Sequence, residues 1–259
     1  YKRQDSSSSV SLFRQNERGN ILAIVGVPIK LDGVLDACLA RAIEGDYQQA
    51  IEQLTCLDGA FAAVFWDAVA GKLVVITDPL GLQPLYIARP EQGLLLASEL
   101  KAFPASGLMQ AKMDPAGWGA FISFDYNIGE KTQLEKVSRI NAATLLTYDA
   151  KTNQVESKKY WLWPEPAPEM TLNDIDTGEL LDIARQEIRA YAQHSRSGYS
   201  LLSGGFDSRL IMMLLHQEGL ETQALTLQHQ EEYFGADGRL AVQVAKKFNQ
   251  GKFQPVSYT

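Results

Sequence analysis

The stretch Tyr199–Leu210 reads Tyr-Ser-Leu-Leu-Ser-Gly-Gly-Phe-Asp-Ser-Arg-Leu, and it predicts a strand, a tight loop and a helix in direct succession. The apolar residues before Ser203 suit a buried strand, and apolar residues at helical spacing follow Ser208. Gly204 and Gly205 lack a side chain, so we expect the backbone to approach a ligand closely and to take positive φ angles there. The first turn of the helix offers unpaired N–H groups and the positive end of its dipole. The block therefore predicts a site for a phosphate-sized anion.

The same block resembles the SGGxDS signature, or PP-loop, of the ATP pyrophosphatases, which cleave ATP between the α and β phosphates. It is not a Walker loop, because no G-x-x-x-x-G-K-(S/T) segment occurs in the chain. A Gly-Gly turn between a strand and a helix can also be purely structural, and that alternative stays open. The resemblance implies a pyrophosphate site made by Ser203, Gly204, Gly205, Asp207 and Ser208. It also implies an adenine site made by Leu202 and Leu227.

Two charged residues of the block have separate predicted roles. Asp207 is the predicted catalytic carboxylate and Mg²⁺ ligand, since a carboxylate beside phosphate is repelled unless a cation lies between them. Arg209 either meets a phosphate or is a surface charge of the helix, and the sequence does not decide between the two. Asp237, farther along, is interpreted as the N-cap of a later helix.

Composition limits the class of protein. The chain has 259 residues, 46% hydrophobic and 21% charged, which suits one large or two ordinary globular domains. A net charge of −7 and a pI of about 5.1 argue against a nucleic-acid-binding surface. No apolar run approaches the roughly 20 residues of a membrane helix, so no membrane partner is expected. Cys38 and Cys56 are interpreted as small buried hydrophobes, which suits the cytoplasm. The three histidines are scattered and show no metal-ligand spacing.

The first part of the chain predicts an antiparallel β structure with a helical layer. Tyr1–Asn20 is polar and is predicted to be a loop, and apolar residues recur at helical spacing from Leu35 to Leu54. Asp46 and Gln49 form a capping box that restarts the helix after Gly45. The remaining predicted strands are Ile21–Val27, Phe61–Trp66, Leu73–Thr77, Pro84–Ala88, Leu94–Ser98, Ala143–Tyr148 and Val155–Trp161.

A proline-rich segment separates this part from the next. Residues 163–168 read Trp-Pro-Glu-Pro-Ala-Pro, a stiff extended linker. Beyond it, strands and helices alternate as β-α-β-α-β, which predicts a parallel sheet with ligands at the carboxyl ends of its strands. We therefore predict an α/β protein of two domains, with a first domain at 1–163, a linker at 164–171 and a second domain at 172–259.

Three segments of the first domain carry a second resemblance. Leu57–Ala62, Asp78–Tyr86 and Ala97–Phe103 are similar to the L-x-G-x-F-A, D-x-x-G-x-x-P-L-Y and A-S-E-x-K-A-L series of the asparagine synthetase family. Their order, and the position of the SGGFDS block after them, fit that family. The resemblance implies an N-terminal αββα Ntn-hydrolase-like glutaminase domain of the class II amidotransferase type, followed by a PP-loop synthetase domain that is truncated here. Taken singly, Asp78, Gly81 and Pro84 make a turn.

The first domain departs from the family pattern. The family's Asn-Gly-Glu, whose Asn stabilises the oxyanion, falls at Val25-Gly26-Val27, and loss of one such donor costs on the order of 10²–10³ in rate. The Gly-Ser-Asp that holds the glutamine amine is absent between Lys30 and Leu54. The nucleophilic Cys would lie upstream of Tyr1, and the family's later acidic motif beyond Thr259. We therefore predict an inactive glutaminase half, as in the β-lactam synthetases and lasso-peptide cyclases.

The resemblance implies an ATP-dependent carbon–nitrogen ligase. ATP and Mg²⁺ would adenylate the carboxylate of a small molecule or peptide, and an amine would displace AMP. The alternatives are an ordinary glutamine-dependent asparagine synthetase, an intramolecular amide ligase, and a non-catalytic scaffold or nucleotide-binding relative. A homodimer is a possible assembly.

Overall fold

The computed structural model describes residues 11–29, 35–91, 93–110, 112–165, 171, 174–192, 197–229, 235–249 and 253–258. The chain divides into two compact units, Tyr1–Glu165 and Pro166–Thr259. Residues 166–170 of the linker predicted at 164–171 lie outside the described residues, as do residues 172 and 173 just after it. No helix in the described ranges is long and apolar enough to cross a membrane.

The first unit contains two antiparallel sheets. The larger has six strands in the order β1-β2-β3-β4-β8-β9, and the smaller has three in the order β6-β5-β7. Four helices accompany them among the described residues of this unit. The elements are β1 (Ser11–Gln15), β2 (Ile21–Ile29), α1 (Leu35–Glu44), α2 (Tyr47–Leu54), β3 (Asp58–Asp67), β4 (Lys72–Thr77), β5 (Tyr86–Ala88), β6 (Leu95–Ala97), α3 (Ala102–Ala105), α4 (Pro115–Phe124), β7 (Val137–Arg139), β8 (Thr144–Asp149) and β9 (Gln154–Lys159).

Side chains alternate across the large sheet and so create two apolar layers. One face, with Phe61 and Phe65 at its centre, packs against α1 and α2. The opposite face, with Ala62 and Val75, packs against the small sheet through Leu85 and its neighbours. The outer face of the small sheet is covered by Phe103 of α3 and by residues from the segments around it. The layer order is helix, sheet, sheet, helix, and it confirms the predicted αββα class.

The second unit is built on a three-stranded parallel sheet in the order β10-β11-β12. Leu202, Met212, Ala224, Ala241 and Ala245 form its buried cluster, so α6 and α7 pack against the strands. The elements are α5 (Thr177–Ala192), β10 (Ser197–Leu201), α6 (Phe206–Gln217), β11 (Glu221–His229), α7 (Gly235–Asn249) and β12 (Phe253–Tyr258). The predicted β-α-β-α-β order is confirmed.

Three local predictions were wrong, and three further elements were not predicted. Tyr1–Asn20 is not loop throughout, since Ser11–Gln15 pairs with Ile21–Val25 as an edge strand. Cys56 is exposed, because the chain leaves α2 just before it, whereas Cys38 is buried as predicted. Helix α7 begins at Gly235, which puts Asp237 inside its first turn and not at the cap. The helices α3 and α4 and the strand β7 were not predicted, because each is short or lacks polar–apolar periodicity.

Candidate functional site

The Ser203–Ser208 loop follows the carboxyl end of β10 and is anchored to β11. The N–H of Leu202 donates to the carbonyl of Leu225 at 2.8 Å, and the hydroxyl of Thr226 donates to the carbonyl of Leu202 at 2.8 Å. The side chain of Leu202 is buried against Met212 and Ala224, so it offers a ligand its backbone and not its side chain. The start of the loop is thus fixed by the core of the second unit.

Inside the loop, two serine hydroxyls hold the backbone. The N–H of Ser203 donates to Ser208 Oγ at 3.1 Å, the two Oγ atoms lie 2.9 Å apart, and the N–H of Gly205 donates to Ser203 Oγ at 3.2 Å. Ser208 Oγ also lies 3.2 Å from the carbonyl of Ser203 and 3.3 Å from that of Gly205. These hydrogen bonds within the loop define its shape.

The glycines act differently from the prediction. Neither Gly204 nor Gly205 has a positive φ, and Gly205 has φ −67° and ψ 158°. A Cβ at Gly205 would lie 3.2 Å from Ser203 Oγ, so a side chain there would press on the serine pair. Glycine at position 205 leaves space for the hydrogen bonds of the two serine hydroxyls. The lack of space for a side chain explains the glycine, although its backbone is not in the left-handed conformation.

The N-terminus of α6 is free of a side-chain cap. The helices α2 and α4 begin at Asp46 and Asp114, whose carboxylates accept hydrogen bonds from the first-turn N–H groups. Helix α6 begins at Gly205, and no side chain accepts from its first turn. The first N–H groups of a helix have no partner within the helix. The uncapped turn at Phe206–Ser208 therefore leaves N–H donors and the positive helix end without a capping side chain, and the binding of an anion there stays a prediction.

Asp207 is exposed in this first turn. Within the described ranges, no group of three or more His, Cys, Asp or Glu side chains could hold a metal ion. Mg²⁺ is commonly bound by one or two carboxylates together with phosphate oxygens and water. A single exposed carboxylate at Asp207 is compatible with Mg²⁺ that arrives with a nucleotide, and its role as a Mg²⁺ ligand stays a prediction.

Arg209 lies over the start of the helix. Its Nε donates to the carbonyl of Gly205 at 3.1 Å, and its guanidinium carbon lies 4.5 Å from the centroid of the Phe206 ring. Phe206 is itself exposed. The guanidinium is thus held beside the loop, and its contact with phosphate stays a prediction. Leu227 pairs with Val256 in the parallel sheet, and only its backbone position is described.

In the first unit, Asp78 organises the turn of the D-x-x-G-x-x-P-L-Y segment. Its side chain is fully buried and accepts hydrogen bonds from the N–H groups of Leu80, Leu82 and Gln83 at 2.9–3.0 Å. Gly81 has φ +65°, and a Cβ there would lie 3.0 Å from the Cβ of Ala142. The motif is therefore structural in this chain, as the single-residue interpretation predicted.

The Val25-Gly26-Val27 segment lies in the middle of the large sheet. Val25 pairs with Ala62 and packs against the apolar cluster between the two sheets. Gly26 has φ +95°, and a Cβ there would lie 2.2 Å from the carbonyl oxygen of Ala60. Gly59 has φ +93°, and a Cβ there would lie 2.4 Å from the carbonyl oxygen of Val27. Gly26 and Gly59 thus permit the close approach of β2 and β3. The side chain of Val25 packs in the apolar cluster and has no hydrogen-bond donor.

Sequence reasoning missed Tyr160 and Thr226. The hydroxyl of Tyr160 donates to the carbonyl of Thr77 at 2.8 Å, and burial, together with the carboxylates of Asp78 and Asp58, raises the pKa of Tyr160 above its ordinary value. The run Ala224-Leu225-Thr226-Leu227, in which one threonine interrupts apolar residues, was the available signal for Thr226. The partner of Tyr160 is 83 residues distant in sequence.

The comparison with protein families matches one segment of the first unit. Residues 45–161 match the family described as the glutamine amidotransferase domain. The matched segment lies within the first unit, whose αββα architecture is described above.

Among named proteins, the chain is similar to "Putative asparagine synthetase (glutamine-hydrolyzing)" of Mycobacterium bovis and of two Mycobacterium tuberculosis strains. Each is 27% identical over 197 residues, a match that covers 73% of this chain and 29% of the relative. The chain thus spans less than a third of the length of these relatives. A solved glutamine phosphoribosylpyrophosphate amidotransferase from B. subtilis, in complex with ADP and GMP, is 14% identical. That match covers 82% of this chain and 47% of the other, with a TM-score of 0.38.

Proposed function

We propose that this chain is part of an asparagine synthetase-like ligase that uses ATP and Mg²⁺ to activate a carboxylate for amide formation. The observation that carries the proposal is the uncapped N-terminus of α6 behind the Ser203–Ser208 loop. An anion at that position gains unpaired N–H donors and the helix dipole without displacing a capping side chain. The similarity of the chain to named asparagine synthetases supports the same class.

In the proposed site, each residue of the loop has one task. The N–H groups of the first turn of α6 and the hydroxyls of Ser203 and Ser208 would hold the pyrophosphate part of ATP. Asp207 would ligate Mg²⁺, which would neutralise the leaving pyrophosphate when bound. The carboxyl end of β11 and the backbone at Leu202 would lie beside the adenine. The reaction would gain from holding ATP and the carboxylate side by side.

We further propose that the first unit has no glutaminase activity of its own. Val25 stands where the family has the oxyanion-stabilising Asn, and its side chain packs in an apolar cluster. A valine side chain cannot donate a hydrogen bond to a developing oxyanion. The amidotransferase domain would then serve as a scaffold, and the amine would come from ammonia or from the substrate itself.

The first experiment is titration of the chain with ATP and Mg²⁺ in a calorimeter, against AMP as the comparison ligand. We expect ATP to bind and AMP, which lacks the pyrophosphate, to bind at least about tenfold more weakly, which is roughly 1.4 kcal/mol. Asp207→Asn should weaken binding of ATP with Mg²⁺. The matched control is Glu179→Gln in the first turn of α5, an exposed acidic residue outside the loop. Absence of ATP binding, or equal effects of the two variants, would contradict the proposed site.

The chemical step is tested by pyrophosphate release from ATP and Mg²⁺ with aspartate, in the presence of ammonia or of glutamine, by the full-length protein. Release with ammonia and none with glutamine is the expected pattern. Glutamate formed from glutamine would contradict the proposed inactive glutaminase without touching the ATP site, because the two activities are measured separately.

A further inference from the structure

The side chain of Arg209 is held against the start of α6 by two contacts. Its Nε donates to the carbonyl of Gly205 at 3.1 Å, and its guanidinium carbon lies 4.5 Å from the centroid of the Phe206 ring. Phe206 and Arg209 are three residues apart, which places them on the same side of a helix. The guanidinium is therefore held beside the Ser203–Ser208 loop, by two residues with which the helix begins.

Phe206 has no part in the buried cluster of the second unit. The residue is 84% exposed, a larger fraction than for any other large hydrophobic residue in the described ranges. A ring that stays in water gains no hydrophobic stabilisation, but its face attracts a guanidinium. The ring contact that the structure gives Phe206 is with Arg209, so the ring limits the orientations that this guanidinium can adopt.

Most of the hydrogen-bonding capacity of Arg209 is unused within the part of the chain that the structure describes. A guanidinium has five N–H donors, and only the Nε donor of Arg209 has an acceptor there. No described carboxylate forms an ion pair with it. On α5, by contrast, Arg185 pairs with Asp182 at 2.8 Å. Arg189 of the same helix pairs with Glu218 at 2.6 Å. The guanidinium of Arg209 is therefore positioned but not neutralised.

The carboxylate of Asp207 lies on another side of the helix. Residues two apart, such as Asp207 and Arg209, are separated by about 200° around a helix of 3.6 residues per turn and do not face each other. Asp207 therefore leaves the charge of Arg209 uncompensated. A ligand at the start of α6 would meet a fixed cation on one side and a carboxylate on the other. The cation suits a phosphate, and the carboxylate suits the Mg²⁺ proposed above.

We propose that Arg209 binds the terminal diphosphate of ATP through its two Nη groups, and that Phe206 is the positioning residue that holds the guanidinium for this contact. The inference rests on the proposed ATP site and adds to it a phosphate contact that needs no metal ion. A guanidinium presents parallel N–H donors that match two oxygens of one phosphate, and a planar group that is already held in place loses less freedom on binding. Arg209 thus selects ligands that carry a diphosphate, which ATP and inorganic pyrophosphate share and AMP lacks.

The test is isothermal titration of the whole chain with three probes: ATP with Mg²⁺, AMP, and inorganic pyrophosphate in EDTA. Arg209→Gln should weaken binding of ATP and of pyrophosphate at least about tenfold and leave AMP unchanged, because hydrogen bonds to a charged group are lost only for the diphosphate. Arg209→Lys keeps the charge without the planar fork and should recover only part of the affinity. Arg185→Gln is the matched control on α5 and should change none of the three affinities.

The role of Phe206 is tested by a pair of variants. Phe206→Leu removes the ring face and should weaken ATP and pyrophosphate by about two- to fivefold, the factor that an exposed cation–π contact supplies. Phe206→Tyr keeps the ring face and should bind as the wild type does. Without ligand, the thermal midpoint of every variant should stay within about 2 °C of the wild type, because the substituted groups are not in the core. A variant that lowers this midpoint together with all three affinities would assign its residue to folding and overturn the inference.

The same titrations separate this inference from the proposed function. If the wild-type chain binds ATP and pyrophosphate and Arg209→Gln binds them equally well, the inference is overturned and the ATP site stands. Wild-type binding of ATP with Mg²⁺, but not of pyrophosphate in EDTA, would overturn the metal-independent contact and also leave the ATP site standing. If the wild-type chain binds neither ligand, the proposed site fails and the role of Arg209 fails with it.

Discussion

Substitution of Asp78 by alanine measures how much one buried carboxylate contributes to the first unit. The change removes three hydrogen bonds, which the carboxylate accepts from Leu80, Leu82 and Gln83 at 2.9–3.0 Å. Hydrogen bonds to a charged group contribute about 1.5–3 kcal/mol each, but Leu80 and Leu82 are exposed, so water can reach part of the turn. We therefore expect a loss of about 3 kcal/mol in the free energy of unfolding.

The assay is urea unfolding followed by tryptophan fluorescence. All four tryptophans of the chain lie between residues 66 and 163, so their emission reports on the first unit alone. Asp149→Ala is the matched control, since that aspartate also accepts two turn N–H groups but is solvated. It should change the unfolding midpoint only slightly. Equal shifts of the midpoint for Asp78→Ala and Asp149→Ala would refute the assignment of burial as the cause.

The other predictions concern the first unit, with one control substitution, Gly198→Ala, in the second. Tyr160→Phe removes the bond to Thr77 and should cost about 1 kcal/mol at neutral pH. The pKa of Tyr160 is raised in the folded state above the ordinary value of 10.0. The stability that its protonated hydroxyl contributes is therefore complete below pH 10.0 and is lost as the pH rises above that value. In the same assay, the free energy of unfolding of the phenylalanine variant should depend less on pH above 10.0. Gly26→Ala should cost about 2–4 kcal/mol, because its Cβ would meet the carbonyl of Ala60, while Gly198→Ala, with open space around it, should not lower the thermal midpoint. Asp46→Ala should cost about 1 kcal/mol through loss of the α2 capping box, and circular dichroism during thermal unfolding would reveal a larger role if the loss exceeded that.

The amino-acid sequence alone was sufficient where structure depends on neighbours along the chain. The capping box at Asp46 and Gln49 divides two helices at the predicted residue, since both partners of its bonds lie within one turn. The hairpin around Asp67–Gly71 and the β-α-β-α-β order of the second unit follow from local periodicity and turn residues in the same way. The Ser203–Ser208 block was recognised because its strand, loop and helix are contiguous.

Only the tertiary structure decided features whose partners are distant in sequence. Ser11–Gln15 is a strand because β2 lies beside it, and its polar composition does not predict that pairing. The same is true of the crowding at Gly26 and Gly59, where the neighbours belong to the other strand. The predicted positive φ at Gly204 and Gly205 was wrong, because the serine hydroxyls hold that loop in ordinary backbone conformations.

Helix α4 illustrates the same division. Its apolar composition suits a buried helix, and only the packing of Gly117 on the backbone at Thr132 turns Phe121 and Ile122 outward. Propensity, capping and periodicity act over a few residues and are written in the sequence, whereas burial depends on which surfaces meet after the chain has folded. The sequence by itself thus determined the elements whose signals are local and the strand–loop–helix order around Ser203–Ser208, and the tertiary structure determined which side chains support the core and which remain exposed.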